Sequence, residues 1–167
     1  ILANAKKKDN KIMIFGNGGS AAIASHVSVD LTKNAKIRCV NYNEADLITC
    51  FANDYGYENW VVEAIKAYTN QNDLIILISS SGTSKNIVNA AKYCNEKKIN
   101  LITLSGFQNT GVVVASPGCN ALHLWRLIAN RRPNRHFQRS FYVFFRIRIS
   151  LAIQLISMSV AQKIANC

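Results

Sequence analysis

After Glu96 this 167-residue chain contains no aspartate or glutamate. All nine carboxylates lie at or before that position, so residues 1–96 carry a net charge of +1 and residues 97–167 carry +10. A domain ordinarily uses charges of both signs for about a quarter of its positions, which makes the second stretch abnormal. The overall +11 therefore belongs to the end of the chain. That end lacks the regular basic and aromatic spacing of a nucleic-acid or membrane-surface binder, so neither partner is expected. The five cysteines, at 39, 50, 94, 119 and 167, include no C-x-x-C pair. They read as reduced structural thiols and not as a metal or redox centre. No run is long and apolar enough to span a bilayer: the uncharged part of the apolar ending, residues 149–162, is only 14 residues. No G-x-x-x-x-G-K-S/T sequence occurs, which disfavours a nucleoside triphosphatase. No signal-peptide pattern is read, so a cytoplasmic location is expected. The first residue is Ile1 and not methionine, so a truncated N-terminus is expected.

What is present is a pair of short loops rich in glycine and serine, each directly after an apolar run. Ile12-Met13-Ile14-Phe15 leads into Gly16-Asn17-Gly18-Gly19-Ser20, and Leu74-Ile75-Ile76-Leu77-Ile78 leads into Ser79-Ser80-Ser81-Gly82-Thr83-Ser84. Each loop opens a helical pattern, so both are strand-turn-helix junctions. Glycine lets a backbone approach a ligand, unpaired N–H groups at a helix start favour an anion, and serine hydroxyls add donors without charge. Two such loops in one small domain point to a phosphorylated small molecule with a second polar portion.

The surrounding sequence alternates strand and helix. Strands are expected at 12–15, 37–41, 74–79 and 101–104, and helices at 20–33, 44–52, 57–69 and 85–97, with residues 1–10 as the frayed end of a helix. This order predicts a three-layer α/β/α sandwich around a parallel sheet, flavodoxin-like, with ligands at the carboxyl ends of the strands. Beyond Phe107 the periodicity dissolves, although residues 112–115 have strand character. The expected organisation is a core over 1–107 that binds the phosphorylated ligand and an atypical basic, apolar segment over 108–167. A shifted reading frame would explain the missing acids, the change from Lys to Arg and the loss of periodicity together. Loss of a last strand would leave one sheet edge uncovered.

Gly16-x-Gly18-x-x-Ala21 also fits a dinucleotide fingerprint, but Glu44, the nearest acid for a ribose, lies past the second strand. That alternative also leaves the serine loop unexplained. Taken in order, four segments resemble the SIS (sugar isomerase) domain family, and within it the phosphoheptose isomerases. They are Phe15-Gly16-Asn17-Gly18-Gly19-Ser20-Ala21-Ala22, Ala24-Ser25-His26, the block from Cys50 through Asn53-Asp54-Tyr55-Gly56-Tyr57 to Trp60, and Ile78-Ser79-Ser80-Ser81-Gly82-Thr83-Ser84. The resemblance implies that Ser79, Ser80, Ser81 and Ser84 hold a sugar phosphate. It also implies that Asn17, Gly18, Gly19, Ser20, Asn53 and Asp54 contact the sugar hydroxyls. An Asn-Asp-x-Gly segment by itself reads as a turn.

His26 and Asp30 are four apart and share a helix face. A lone helical histidine ordinarily packs, but the resemblance matches His26 to a residue that binds metal and substrate. It implies His26 and Asp30 as the catalytic pair and as zinc ligands, in an aldose-ketose isomerisation through an enediol. The family carries glutamate where this chain has Asp30, one methylene shorter. The family's C-terminal glutamine and histidine, eight residues apart, have no counterpart, and neither His123 nor His136 is carried over. Two readings stay open: an isomerase of sedoheptulose 7-phosphate serving surface-polysaccharide synthesis, and a phosphosugar-binding module without turnover. The resemblance further implies a homodimer or homotetramer.

Overall fold

The structure is a computed structural model that describes residues 2, 9–105 and the backbone of 120–123. Five parallel strands form one sheet in the order β2-β1-β3-β4-β5: β1 Ile12–Gly16, β2 Cys39–Asn41, β3 Leu74–Ser79, β4 Asn100–Ser105 and β5 Asn120–His123. Four helices are described, α1 Gly19–Lys33, α2 Ala45–Tyr55, α3 Trp60–Tyr68 and α4 Lys85–Glu96. The central strands are apolar on both sides because both sides are covered. Ile12 and Ile14 of β1 and Leu74, Ile76 and Ile78 of β3 pack with Ile23, Ala24, Val27 and Leu31 of α1. The intervening Met13, Phe15, Ile75 and Leu77 pack against Trp60, Val61, Ala64 and Ile65 of α3 and Ile87, Ala90 and Cys94 of α4. The three-layer sandwich expected from the alternation is thus present, with the two-residue strand period separating its two cores.

Several boundaries differ from expectation, each for a local reason. Ile37 donates its N–H to Leu31 O at the end of α1 (3.0 Å), so it closes that helix instead of joining β2. Helix α2 runs three residues past the expected 52 and stops at Gly56, whose φ of 82° ends it while its N–H bonds Ala52 O. Asn53 and Asp54 therefore lie in the last helical turn and not in a turn of their own. Asn59 N–H bonds Gly56 O (3.0 Å), which spends residues 56–59 on a turn and delays α3 to Trp60.

The expected uncovered sheet edge is corrected. β5 pairs in parallel with β4, from Ile102↔Asn120 to Ser105↔His123, so the sheet continues into the stretch set apart by its charge. The strand expected at 112–115 lies outside the described residues, as does His136, and most of residues 1–10 do too. At the opposite edge β2 is only three residues long, which limits edge-to-edge pairing.

At the amino ends of β1 and β3 an ion pair between half-buried Lys11 and buried Asp73 locks the two strands together. Asp73 accepts from Lys11 Nζ (2.8 Å), Lys11 N (2.8 Å) and Asn70 N (2.8 Å), and Lys11 Nζ also reaches Tyr68 O (2.7 Å). Burial pushes the Asp73 carboxyl up, but the Lys11 bond and the two backbone N–H groups outweigh it and hold the pKa below the ordinary carboxylate value. Of the described cysteines, Cys39 and Cys94 are buried and Cys50 is exposed, and none of the three is in a disulfide. Burial raises the Cys39 thiol to about 12, so it stays protonated as a structural thiol.

Candidate functional site

The strand order reverses direction between β1 and β3, and in an open parallel sheet that is where a crevice forms outside the carboxyl ends. Gly16 pairs with Ile78 at the last rung, so the loops following β1 and β3 emerge side by side. A cavity of about 310 Å³ lies between them, within the size range of small-molecule sites. It is lined by Asn17, Gly18, Gly19 and Ser20 of the first loop and by Ser79, Ser80, Ser81 and Ser84 of the second, with Ile23 and Ile78 as apolar floor.

Local chemistry shapes both loops. A methyl group on Gly16 would sit 2.7 Å from the Ser20 backbone, so the start of α1 can fold back on β1 only over glycine. Gly18 precedes α1 with φ 50° and ψ −115°, a conformation side chains resist. In the second loop Ser79 is the hub. Its Oγ accepts from Gly82 N (3.1 Å) and donates to Ser84 Oγ (3.2 Å), while Ser81 Oγ accepts from Thr83 N (3.2 Å) and Thr83 Oγ1 (3.1 Å).

The helices that begin at the cavity share a property the other two lack. Neither α1 nor α4 has an acidic residue in its first turn. By contrast α2 begins with Asp46 and α3 with Glu63 in the first turn. The cavity thus receives two positive helix ends with no carboxylate competing for them, an arrangement suited to an anion.

The four remaining candidates fall outside the cavity lining. Asn53 and Asp54 are exposed on α2 and bond each other, Asn53 Nδ2 to Asp54 Oδ1 at 2.9 Å. Their block reaches the site through Tyr57, whose hydroxyl donates to Asn17 Oδ1 (3.2 Å). His26 and Asp30 meet on α1 as their spacing predicts, with Nε2 3.4 Å from Oδ2, but the His26 side chain is 56% exposed and that of Asp30 13%. Asn34 Nδ2 holds the other Asp30 oxygen at 3.3 Å.

Zinc would need three or four protein ligands. No group of three His, Cys, Asp or Glu capable of holding a metal is found among the described residues. His26 and Asp30 alone do not fit a zinc site, and no chemical step is derived through one. Sequence reasoning missed Asn86, which joins the two loops by exchanging amide bonds with Asn17, and missed Tyr57 as a partner of the same side chain. No helix among the described residues is long and apolar enough to cross a membrane.

Comparisons with known proteins bear on the family and the fold. Phosphoheptose isomerase 2 of Campylobacter jejuni is 38% identical over 113 residues, which are 63% of this chain and 55% of that protein. The phosphoheptose isomerase of Helicobacter pylori is 34% identical over 112 residues, 64% of this chain and 58% of that protein. The chain therefore spans a little over half the length of these relatives. A solved phosphoheptose isomerase from Neisseria gonorrhoeae superposes with a TM-score of 0.69 at 22% identity, covering 99% of this chain and 81% of that one, which shows a shared fold. The SIS domain model matches residues 1–106, and the chain belongs to the SIS domain family.

Proposed function

We propose that this chain binds sedoheptulose 7-phosphate between the β1 and β3 loops and converts it to an aldoheptose 7-phosphate for surface-polysaccharide synthesis. The observation that carries the reading is the cavity itself, with a serine loop and two acid-free helix starts. Ser79, Ser80, Ser81 and Ser84 take the phosphate, whose charge the hydroxyls and the α4 N-terminus offset. Asn17, Gly18, Gly19 and Ser20 take the sugar, and Asn53 and Asp54 complete its hydroxyl contacts from α2. The names of the relatives supply the substrate class.

Isomerisation moves a proton between adjacent carbons through an enediol, which needs a base near neutral pH. His26 is the proposed base, with Asp30 steadying its imidazole across the 3.4 Å contact. The shared surface of α1 around them, including Val29 at 58% exposure, is where a second copy would pack in a homodimer or homotetramer.

A second reading, binding without turnover, is favoured by one specific observation: among the described residues, no titratable side chain lines the cavity. One assay separates the two. Incubation of the chain with sedoheptulose 7-phosphate should yield the aldose, and His26→Ala should lower turnover by at least 100-fold, the typical reach of a general base. Tight binding with no product would establish the binding module. Unchanged turnover in His26→Ala would remove His26 from the chemistry.

A further inference from the structure

We propose that Asn86 is a positioning residue that locks the Asn17 amide in one orientation, so that Asn17 offers the ligand an N–H and not its oxygen. The proposal deepens the phosphosugar reading of the cavity and rests on it. Asn17 lines the cavity, whereas Asn86, the second residue of α4, is only 2% exposed and lies behind it. Across 69 residues of sequence the two amides exchange bonds: Asn86 Nδ2 donates to Asn17 Oδ1 (2.8 Å), and Asn17 Nδ2 donates to Asn86 Oδ1 (2.9 Å).

A side-chain amide alone could be turned end for end, because its oxygen and its NH₂ nitrogen are nearly alike in size and shape. Here a backbone group settles the orientation. The N–H of Ile87 can only donate, and it meets Asn86 at 3.0 Å, so the atom it meets is Oδ1. The other end of Asn86 is then the NH₂ group, and the Asn17 atom facing it is the oxygen. Tyr57 donates to the same Asn17 oxygen (3.2 Å), which fills its second lone pair. One Asn17 N–H is committed to Asn86 and the other has no acceptor among the described residues. Asn17 therefore presents a single donor, and the ligand atom that meets it is an acceptor: a carbonyl, hydroxyl or phosphoryl oxygen. A ligand group that can only donate, such as an ammonium, is disfavoured there.

The test is a double-mutant cycle on the full chain, with sedoheptulose 7-phosphate and inorganic phosphate followed by calorimetry. Asn17→Ala and Asn86→Ala should each weaken the sugar phosphate about tenfold, as expected for one lost hydrogen bond. The double variant should be no weaker than Asn17→Ala, because Asn86 acts through Asn17. Inorganic phosphate, held by the serine loop, should lose no affinity in Asn86→Ala. Additive losses, or equal losses for both ligands, would overturn the proposal. Should Asn86→Ala fail to fold, Tyr57→Phe removes the second donor to the same oxygen from an exposed side chain. The Asn17 side-chain amide resonances of the ligand-free protein should then shift in Tyr57→Phe, and an unmoved pair would overturn the lock. If the unmutated chain binds no sedoheptulose 7-phosphate, the phosphosugar reading fails, while the amide resonances still decide whether Asn17 is held.

Discussion

Gly16 and Gly18 are two residues apart and are required for different reasons, which makes their substitutions separable. A methyl group at Gly16 would meet the backbone of Ser20 at 2.7 Å, so the first turn of α1 must move. At Gly18 nothing lies within 4 Å of an added methyl group, and only the positive φ resists it. Gly18→Ala should therefore cost about 1 to 3 kcal/mol of backbone strain. Gly16→Ala should cost a similar 1 to 3 kcal/mol of overpacking and also displace the cavity wall. Thermal unfolding checks the first quantity, at roughly 2 to 4 °C per kcal/mol for a domain of this size. Phosphosugar affinity checks the second. A Gly16→Ala variant with unchanged affinity would show that the start of α1 does not form the wall.

Between elements, the Lys11–Asp73 pair joins β1, β3 and the loop after α3 into one block. Because the folded Asp73 pKa lies below its unfolded value, its contribution is complete above the unfolded value near pH 4. That contribution is lost as pH falls through the folded value. Asp73→Ala should lower stability at pH 7 by about 1 to 3 kcal/mol, since the Lys11 ammonium and the N–H groups of Lys11 and Asn70 lose their acceptor. In acid the gap between the variant and the parent should narrow, and a difference independent of pH from 7 to 2 would contradict the assignment. The strands of this block were legible in the sequence because strands covered on both faces are continuous apolar runs, as in β1 and β3. The serines that line the cavity were legible as a loop at a strand end because glycine and serine directly after such a run mark a strand-turn-helix junction. Other features depended on distant geometry. The local residues of Asn53 to Gly56 read as a turn, and only the φ of Gly56 shows that the helix continues to Tyr55. Asn86 gives no local signal, since its partner is 69 residues away. β5 lies where no periodicity marks it, and its strand is defined by pairing with β4 alone.

On the scale of the molecule, the charge is as unevenly placed as the motifs. Residues 97–167 carry +10 without one acid, whereas all the segments that resemble the family lie before residue 107. A shifted reading frame predicts that one neighbouring frame beyond codon 107 encodes an acid-containing ending with helical periodicity. Coding DNA with no such frame would contradict that account and assign the basic stretch to the protein's own design. Among the described residues, the cavity is lined by residues 17–84, all before the point where the charge changes. As proposed, the cavity holds a sugar phosphate by its serine loop. Calorimetry of sedoheptulose 7-phosphate against the full chain and against Ser81→Ala/Ser84→Ala tests it most directly. Each hydroxyl bonded to a charged oxygen contributes about 1.5 to 3 kcal/mol, so the account predicts a loss of at least 100-fold in affinity for the double variant. Equal affinity in the two proteins would contradict it.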